Sequence, residues 1–92
     1  MKEMIKAEVI GFLQGIFSEN YNVDITVTAD TKIQNLENVY LLDSLDMVDI
    51  ESDLSSFIDE RYACCISADF RNFSTIGEVA ESIARQVADK IQ

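Results

Sequence analysis

The segment LLDSLDMVDI places Ser44 directly after Asp43 and ahead of further acidic residues. A nucleophilic serine needs a neighbouring general base, which in most enzymes is a histidine. The chain contains no histidine among its 92 residues, which argues against a serine hydrolase. Any chemical role of Ser44 must therefore be of another kind.

The position of Ser44 at the start of an amphipathic segment gives it two possible roles. Either Asp43 or Ser44 can cap the first turn of a helix, and a plain N-cap is one interpretation of the serine. The free N–H groups and the macrodipole of a helix N-terminus also favour a negative group such as a phosphodiester. Asp43 and Asp46 oppose the capture of free phosphate. The end of the helix therefore suits a phosphate that is covalently attached and extends away from the protein.

An acidic edge follows Ser44, because Asp46, Asp49 and Asp53 recur at helical spacing. Calcium binding is not expected, since carboxylates spaced along a rigid helix cannot wrap around a cation. The adjacent Cys64 and Cys65 lack the spacing of a zinc or redox motif and are interpreted as reduced thiols packed against the core.

Leu45 and Val48 lie off both the acidic edge and the core face of this helix and point outward. Exposed apolar residues beside carboxylates are typical of a docking surface, where apolar contact supplies affinity and charge steers the encounter. The alternative is that Leu45 packs under the preceding loop and that the aspartates are merely solvated.

The length and composition of the chain constrain the rest. Ninety-two residues form one domain, 1–92, and the absence of proline with only three glycines favours long helices. A net charge of −10 disfavours nucleic acid and anionic lipid and attracts basic protein surfaces. The sequence shows neither a signal peptide nor an apolar run of membrane-spanning length, so a cytoplasmic location is expected.

Hydrophobic periodicity predicts the elements that position Ser44. A helix is expected at about residues 2–18, a second from Asp43 or Ser44 to about Glu60, and a short one at 67–72 capped by Ser67 with Phe70 turned inward. Thr75 and Glu78 form a capping box that opens the last helix. The predicted inward faces are Ile5, Val9, Phe12, Leu13, Ile16 and Phe17; Met47, Ile50, Leu54, Phe57 and Ile58; and Ile76, Val79, Ala80, Ile83, Val87 and Ile91. The predicted fold is an all-α bundle of three long helices and one short helix.

Residues 19–43 form a long connection between the first two predicted helices. The alternation in NVDITVT is typical of a strand, which would need a partner such as the segment YACCI. We favour a loop held in place by its apolar residues.

DSLD at residues 43–46, followed by ISADFRNFSTIGEVAESI, resembles the phosphopantetheine attachment region of acyl carrier proteins. The resemblance covers nearly the whole chain and implies the acyl-carrier-protein-like four-helix bundle. It departs from the family pattern at Leu41, where a glycine is common, in the longer loop ENVYLL, and at Ser52, Ser55 and Ser56. These departures point to a specialised carrier.

The resemblance implies that a phosphopantetheinyl transferase attaches the 4′-phosphopantetheine of coenzyme A to Ser44, with Asp43 as the preceding motif acid. The arm would carry acyl groups as thioesters for fatty-acid, polyketide or another specialised lipid or secondary-metabolite pathway. The implied partners are acyl-transferring, ligase or synthase enzymes with basic docking patches. The implied contact residues for them are Leu45, Asp46, Val48, Asp49 and Asp53.

The chain would then be a monomeric carrier and not itself an enzyme. Two alternatives stay open: an aminoacyl or D-alanyl carrier, and an acidic helical interaction module without any attached group. On the carrier interpretation, Leu45→Ala or Asp46→Lys should slow modification of Ser44 without changing helicity.

Overall fold

The computed structural model describes residues 2–91, with side chains through residue 90. Four α-helices follow one another: α1 (Lys2–Glu19), α2 (Ile33–Asn38), α3 (Ser44–Tyr62) and α4 (Ile76–Ile91). A single 3₁₀ turn at Phe70–Asn72 precedes α4. No strand occurs in residues 2–91, so the all-α prediction is confirmed.

Helix α1 packs mainly against α4 and also against α3. Its predicted inward residues are buried, except that Phe12 is half-buried. Phe12 stacks on the half-buried Phe57 of α3, with ring centroids 4.4 Å apart. Both phenylalanines were predicted to face the core, whereas they lie together at its edge. Farther along α3, Arg61 and the hydroxyl of Tyr62 both bind the carboxylate of Glu8, which ties the end of α3 to α1.

Helix α3 presents its predicted face to the core, since Met47, Ile50, Leu54 and Ile58 are buried. It ends at Ala63, which adopts the left-handed conformation (φ 54°) and donates its N–H to the carbonyl of Asp59. This is the left-handed ending that many helices use. The predicted extent of the helix, to about residue 60, is confirmed within two residues.

The connection between α1 and α3 is a loop, as predicted, but it contains the six-residue helix α2. Gln14 of α1 holds the first half of the loop: its side chain accepts a hydrogen bond from the N–H of Val27 (2.8 Å) and donates one to the carbonyl of Ile25 (2.7 Å). The buried residues that anchor the connection are Val27, Ile33, Leu36 and Leu42.

Backbone hydrogen bonds join the middle of this loop to the start of α4. The N–H of Ile33 donates to Ser74, that of Ile76 to Thr31 and that of Gly77 to Ala29, each at 2.9 Å. The loop and α4 are therefore held at one fixed separation. Gly77 fits this contact because it lacks a Cβ atom, which would lie 2.7 Å from the carbonyl oxygen of Ala29.

The segment 67–72 differs from the prediction of a short helix capped by Ser67. Only Phe70–Asn72 is helical, and Asp69 supplies the cap through a hydrogen bond from the N–H of Arg71. Ser67 is held in a different way, because Gln86 of α4 bonds both its N–H (2.8 Å) and its carbonyl (3.0 Å). Phe70 is buried, as predicted.

Helix α4 begins with the predicted capping box: the N–H of Glu78 donates to the hydroxyl of Thr75, and the N–H of Thr75 donates to the carboxylate of Glu78. The predicted inward residues through Val87 are buried, and the Ile91 side chain lies outside the described part of the chain. Cys64 is buried against the core, as predicted, whereas the same prediction for Cys65 is wrong because Cys65 is exposed; neither cysteine forms a disulfide. None of the described helices is long and apolar enough to cross a membrane.

Candidate functional site

Ser44 is the first residue of α3, and its side chain is exposed. Asp43, which is also exposed, is the N-cap: its carboxylate accepts the N–H of Asp46 at 2.8 Å. Of the two capping residues that the sequence allowed, the structure therefore uses Asp43. The hydroxyl of Ser44 is not needed for capping, and Ser44 is exposed at the surface.

Asp46 has a structural role in addition to its charge. Its side chain accepts the N–H of Asp43 at 3.2 Å, so the two residues form a reciprocal capping box. The substitution Asp46→Lys would remove this capping contact together with a negative charge. Asp49 is exposed and lies in the next turn, so it is the better position for testing surface charge alone.

Exposed apolar residues lie on both sides of Ser44 in the sequence. Leu45 is 74% exposed and Val48 is 52% exposed, so the alternative in which Leu45 packs under the loop is wrong. Val39 and Leu41 are apolar residues of the loop that do not help to hold it in place, since they are 60% and 80% exposed. Exposed apolar side chains that lie next to one another are typical of contact surfaces. We call Leu45 and Val48, which lie three residues apart on α3, the apolar face.

Leu41 also has an unusual backbone. Its φ of 61° lies in the left-handed region, which is unfavourable for a branched residue and favourable for glycine. The turn at Leu41 lies two residues before Asp43, the N-cap of α3. The backbone at position 41 thus has a conformation that glycine adopts readily, although the sequence has leucine there.

The acidic edge of α3 faces Tyr21, a half-buried residue of the loop. Burial is the largest cause that raises the pKa of the Tyr21 hydroxyl above its usual 10.0, and nearby carboxylates raise it further: Asp46, Asp49, Asp53 and Asp43. These four carboxylates together make the surroundings of the Tyr21 hydroxyl negative.

The raised pKa of Tyr21 predicts a pH dependence. Neutral Tyr21 contributes stability that is fully present below about pH 10, the pKa of an unfolded tyrosine, and is lost as the pH rises through the folded pKa. Asp49→Asn should move that pKa down towards the unfolded value because it removes one repelling charge. The check is the tyrosinate absorbance followed in an alkaline titration, with Tyr21→Phe used to assign the signal. An unchanged Tyr21 transition in Asp49→Asn would contradict the joint action of the edge.

A cavity of about 90 Å³ opens beside Ser44, between α2, α3 and the 3₁₀ turn. Ile33, Met47 and Phe70 contribute apolar wall, whereas Glu37, Glu51 and Arg71 contribute charge. Glu51 also holds the 3₁₀ turn against α3, because its carboxylate accepts the N–H of Phe70 at 2.6 Å. Sequence analysis did not identify Glu37 or Arg71 as neighbours of Ser44, because α2 was not predicted and Arg71 follows Ser44 by 27 residues.

Within residues 2–91, no cluster of histidine, cysteine or carboxylate side chains has the geometry of a metal site. Ser44, Asp43, Leu45 and Val48 are brought together at one end of α3, while Asp53 lies two turns farther along its acidic edge.

Comparison of the chain with protein-family models, curated proteins and solved structures found no match.

Proposed function

We propose that the chain is a carrier protein whose Ser44 is the attachment point for 4′-phosphopantetheine. The observation that carries this proposal is the exposed hydroxyl at the first residue of α3, which is released from capping by Asp43. A phosphodiester on that oxygen would be stabilised by the N-terminal end of a 19-residue helix.

The residues present fit the attached group. Ser44 would supply the ester oxygen and the first turn of α3 would hold the phosphate, while Arg71 is a cation that lines the adjoining cavity. The thiol of the arm would supply the thioester chemistry. The transferase would join the Ser44 oxygen to phosphorus and release the adenosine bisphosphate half of coenzyme A, so the chain itself needs no catalytic base.

The left-handed Leu41 supports the resemblance to acyl carrier proteins. The family commonly has a glycine at this position, two residues before the aspartate of DSL, and a glycine adopts a φ of 61° without strain. A geometry suited to glycine is present although the residue is leucine. The departure noted in the sequence therefore leaves the turn that presents Ser44 intact.

Docking of the transferase and of later enzymes is assigned to the apolar face and the acidic edge. Leu45 and Val48 would provide apolar contact, while Asp49 and Asp53 would attract basic side chains. Charge attraction should make these encounters fast, and salt should slow them because it screens exposed charges. Binding should be weak, since a carrier must release each partner.

Leu45→Arg should reduce the rate of Ser44 modification by about tenfold or more, because a central apolar contact is replaced by a charge that repels a basic enzyme. The fold should be unaffected, since Leu45 is 74% exposed. Initial rates of loading at limiting carrier concentration measure the effect, and Met4→Arg, at another exposed apolar residue, is the matched control. Equal rates for the Leu45 variant and the control would remove the apolar face from the docking surface.

An aminoacyl or D-alanyl cargo is a second candidate, favoured by the size and lining of the cavity. About 90 Å³ is less than the roughly 150 Å³ of a protein cavity that holds benzene. A long acyl chain would have to push α3 and the 3₁₀ turn apart, whereas a short aminoacyl group would bring its ammonium near Glu37 and Glu51. Chains loaded with hexanoyl or alanyl pantetheine separate the two, since the cargo that fits should raise the melting temperature more.

The decisive experiment for the carrier proposal is incubation of the purified chain with coenzyme A and a broad-specificity phosphopantetheinyl transferase. Intact-mass measurement should show one phosphopantetheine increment per chain, and peptide mapping should place it on Ser44. A chain that gains no increment, while a known carrier in the same mixture is fully converted, would instead favour the acidic interaction module.

A further inference from the structure

A second concave surface lies between α1 and α3, away from Ser44. It is a groove of about 470 Å³, with the stacked rings of Phe12 and Phe57 among its lining residues and Gly11 and Gly15 along the α1 side. On α3 it spans residues 53–60, which places it about 14–24 Å along the helix axis from Ser44. The groove shares Asp53 with the acidic edge, but it has no lining residue in common with the cavity beside Ser44 or with the apolar face.

The two glycines have no packing reason within the described chain. A Cβ atom built on either Gly11 or Gly15 meets nothing within 4 Å. Glycine inside a helix is less favourable than alanine by about 1 kcal/mol. Glycine therefore lowers the helix stability of α1 at two positions, four residues apart. It also leaves the α1 backbone uncovered on the groove side. An open backbone allows another chain to approach closely.

Charge defines what can enter the groove. Glu19, Asp53 and Glu60 line it, and all three are exposed. None of them takes part in the ion pairs formed among residues 2–91. With a net charge of −10, a second copy of this chain would bring like charges together, and nucleic acid or anionic lipid would be repelled. A cationic occupant is complementary.

We propose that this groove docks a basic amphipathic helix of a partner protein. The apolar side of that helix would lie on Phe12 and Phe57 and close to Gly11 and Gly15, as in other helix-in-groove complexes. Its lysine or arginine side chains would meet the rim carboxylates, and one cation over the ring faces would add a cation–π contact. This surface goes beyond the carrier function, because it needs neither Ser44 nor a group attached there.

The test uses the whole chain and a synthetic amphipathic helical peptide of leucine and lysine as the probe. A scrambled peptide of the same composition, with no apolar side, is the control for unspecific charge attraction. Amide chemical shifts of the ¹⁵N-labelled chain should change most around Phe12, Gly15, Phe57 and Glu60. Gly15→Leu should fill the groove and weaken peptide binding by at least tenfold, while Leu45→Arg should leave it unchanged.

A second variant, Glu19→Lys with Glu60→Lys, keeps the proposal testable if Gly15→Leu disturbs α1, and it should weaken binding by a similar factor. Shifts centred on Leu45 and Val48, equal binding of the scrambled peptide, or undiminished binding by both variants would overturn the proposal. Intact-mass loading of Ser44 in the same variants should be unaffected. Failure of the groove proposal is thus distinguishable from failure of the carrier proposal.

Discussion

Ser44→Ala should abolish phosphopantetheine loading completely, with no increment in intact mass under conditions that convert the wild-type chain. The substitution removes the oxygen that would form the ester, so no slower route remains at this position. The stability of the chain should change by less than about 0.5 kcal/mol, because the side chain is exposed and Asp43 caps the helix.

Two matched variants separate the chemical role of Ser44 from a structural one. Ser52→Ala changes another exposed serine of α3 and should load at the wild-type rate. Asp43→Ala removes the N-cap and should lower the free energy of unfolding by about 1–2 kcal/mol, measured by urea denaturation. An increment that persists in Ser44→Ala would exclude Ser44 as the attachment point.

Alanine substitution of the three glycines should change stability in opposite directions. Gly11→Ala and Gly15→Ala should each raise the free energy of unfolding by about 0.5–1 kcal/mol, because the added methyl group meets open space and alanine favours the helix. Gly77→Ala should lower it by about 1–3 kcal/mol, the usual range for overpacking. Its Cβ atom would lie 2.7 Å from the Ala29 oxygen and 2.9 Å from the Ala29 Cβ.

The expected shifts are large enough to measure by thermal unfolding. For a domain of this size, 1 kcal/mol corresponds to about 4–8 °C in Tm. Gly77→Ala disturbs the backbone contact that joins the loop to α4, where the Gly77 N–H meets the Ala29 carbonyl at 2.9 Å. A relief variant, Ala29→Gly with Gly77→Ala, should recover part of the loss because the Ala29 methyl group is removed. Destabilisation by Gly11→Ala would instead show that α1 needs its glycines for its own fold.

The gain expected at Gly11 and Gly15 bears directly on the groove between α1 and α3. If the alanine variants are more stable, the fold does not require glycine at either position. The low helix propensity of glycine at these two positions would then have a functional explanation. Docking of a partner helix in the groove provides one.

The sequence was most informative about local structure. The 3.6-residue spacing of apolar residues predicted α1, α3 and α4, and the pattern around Thr75 and Glu78 predicted the capping box of α4. It also predicted that Leu45 and Val48 face outward. These features depend on residues within one or two turns of each other, so a linear pattern records them.

Helix α2 escaped the sequence prediction for a physical reason. Six residues cannot overcome the cost of helix nucleation on their own, so α2 depends on burying Ile33 and Leu36 against the rest of the chain. Sequence analysis predicted Ser67 as the cap near residue 70, whereas the structure uses Asp69, and the reason is similar. Gln86, nineteen residues away, holds the backbone of Ser67 in a non-helical conformation.

By itself, the sequence determined the three long helices, which of their sides are apolar, and that Ser44 stands at a helix start among acidic residues. Only the tertiary structure decided that Asp43 provides the cap, that Leu41 is exposed and left-handed, and that Glu37 and Arg71 share a cavity with Ser44. The same holds for the groove formed by Phe12 and Phe57, both of which look like core residues in a helical pattern. Periodicity fixes the direction of a side chain from its own helix, whereas its burial depends on which other element packs there.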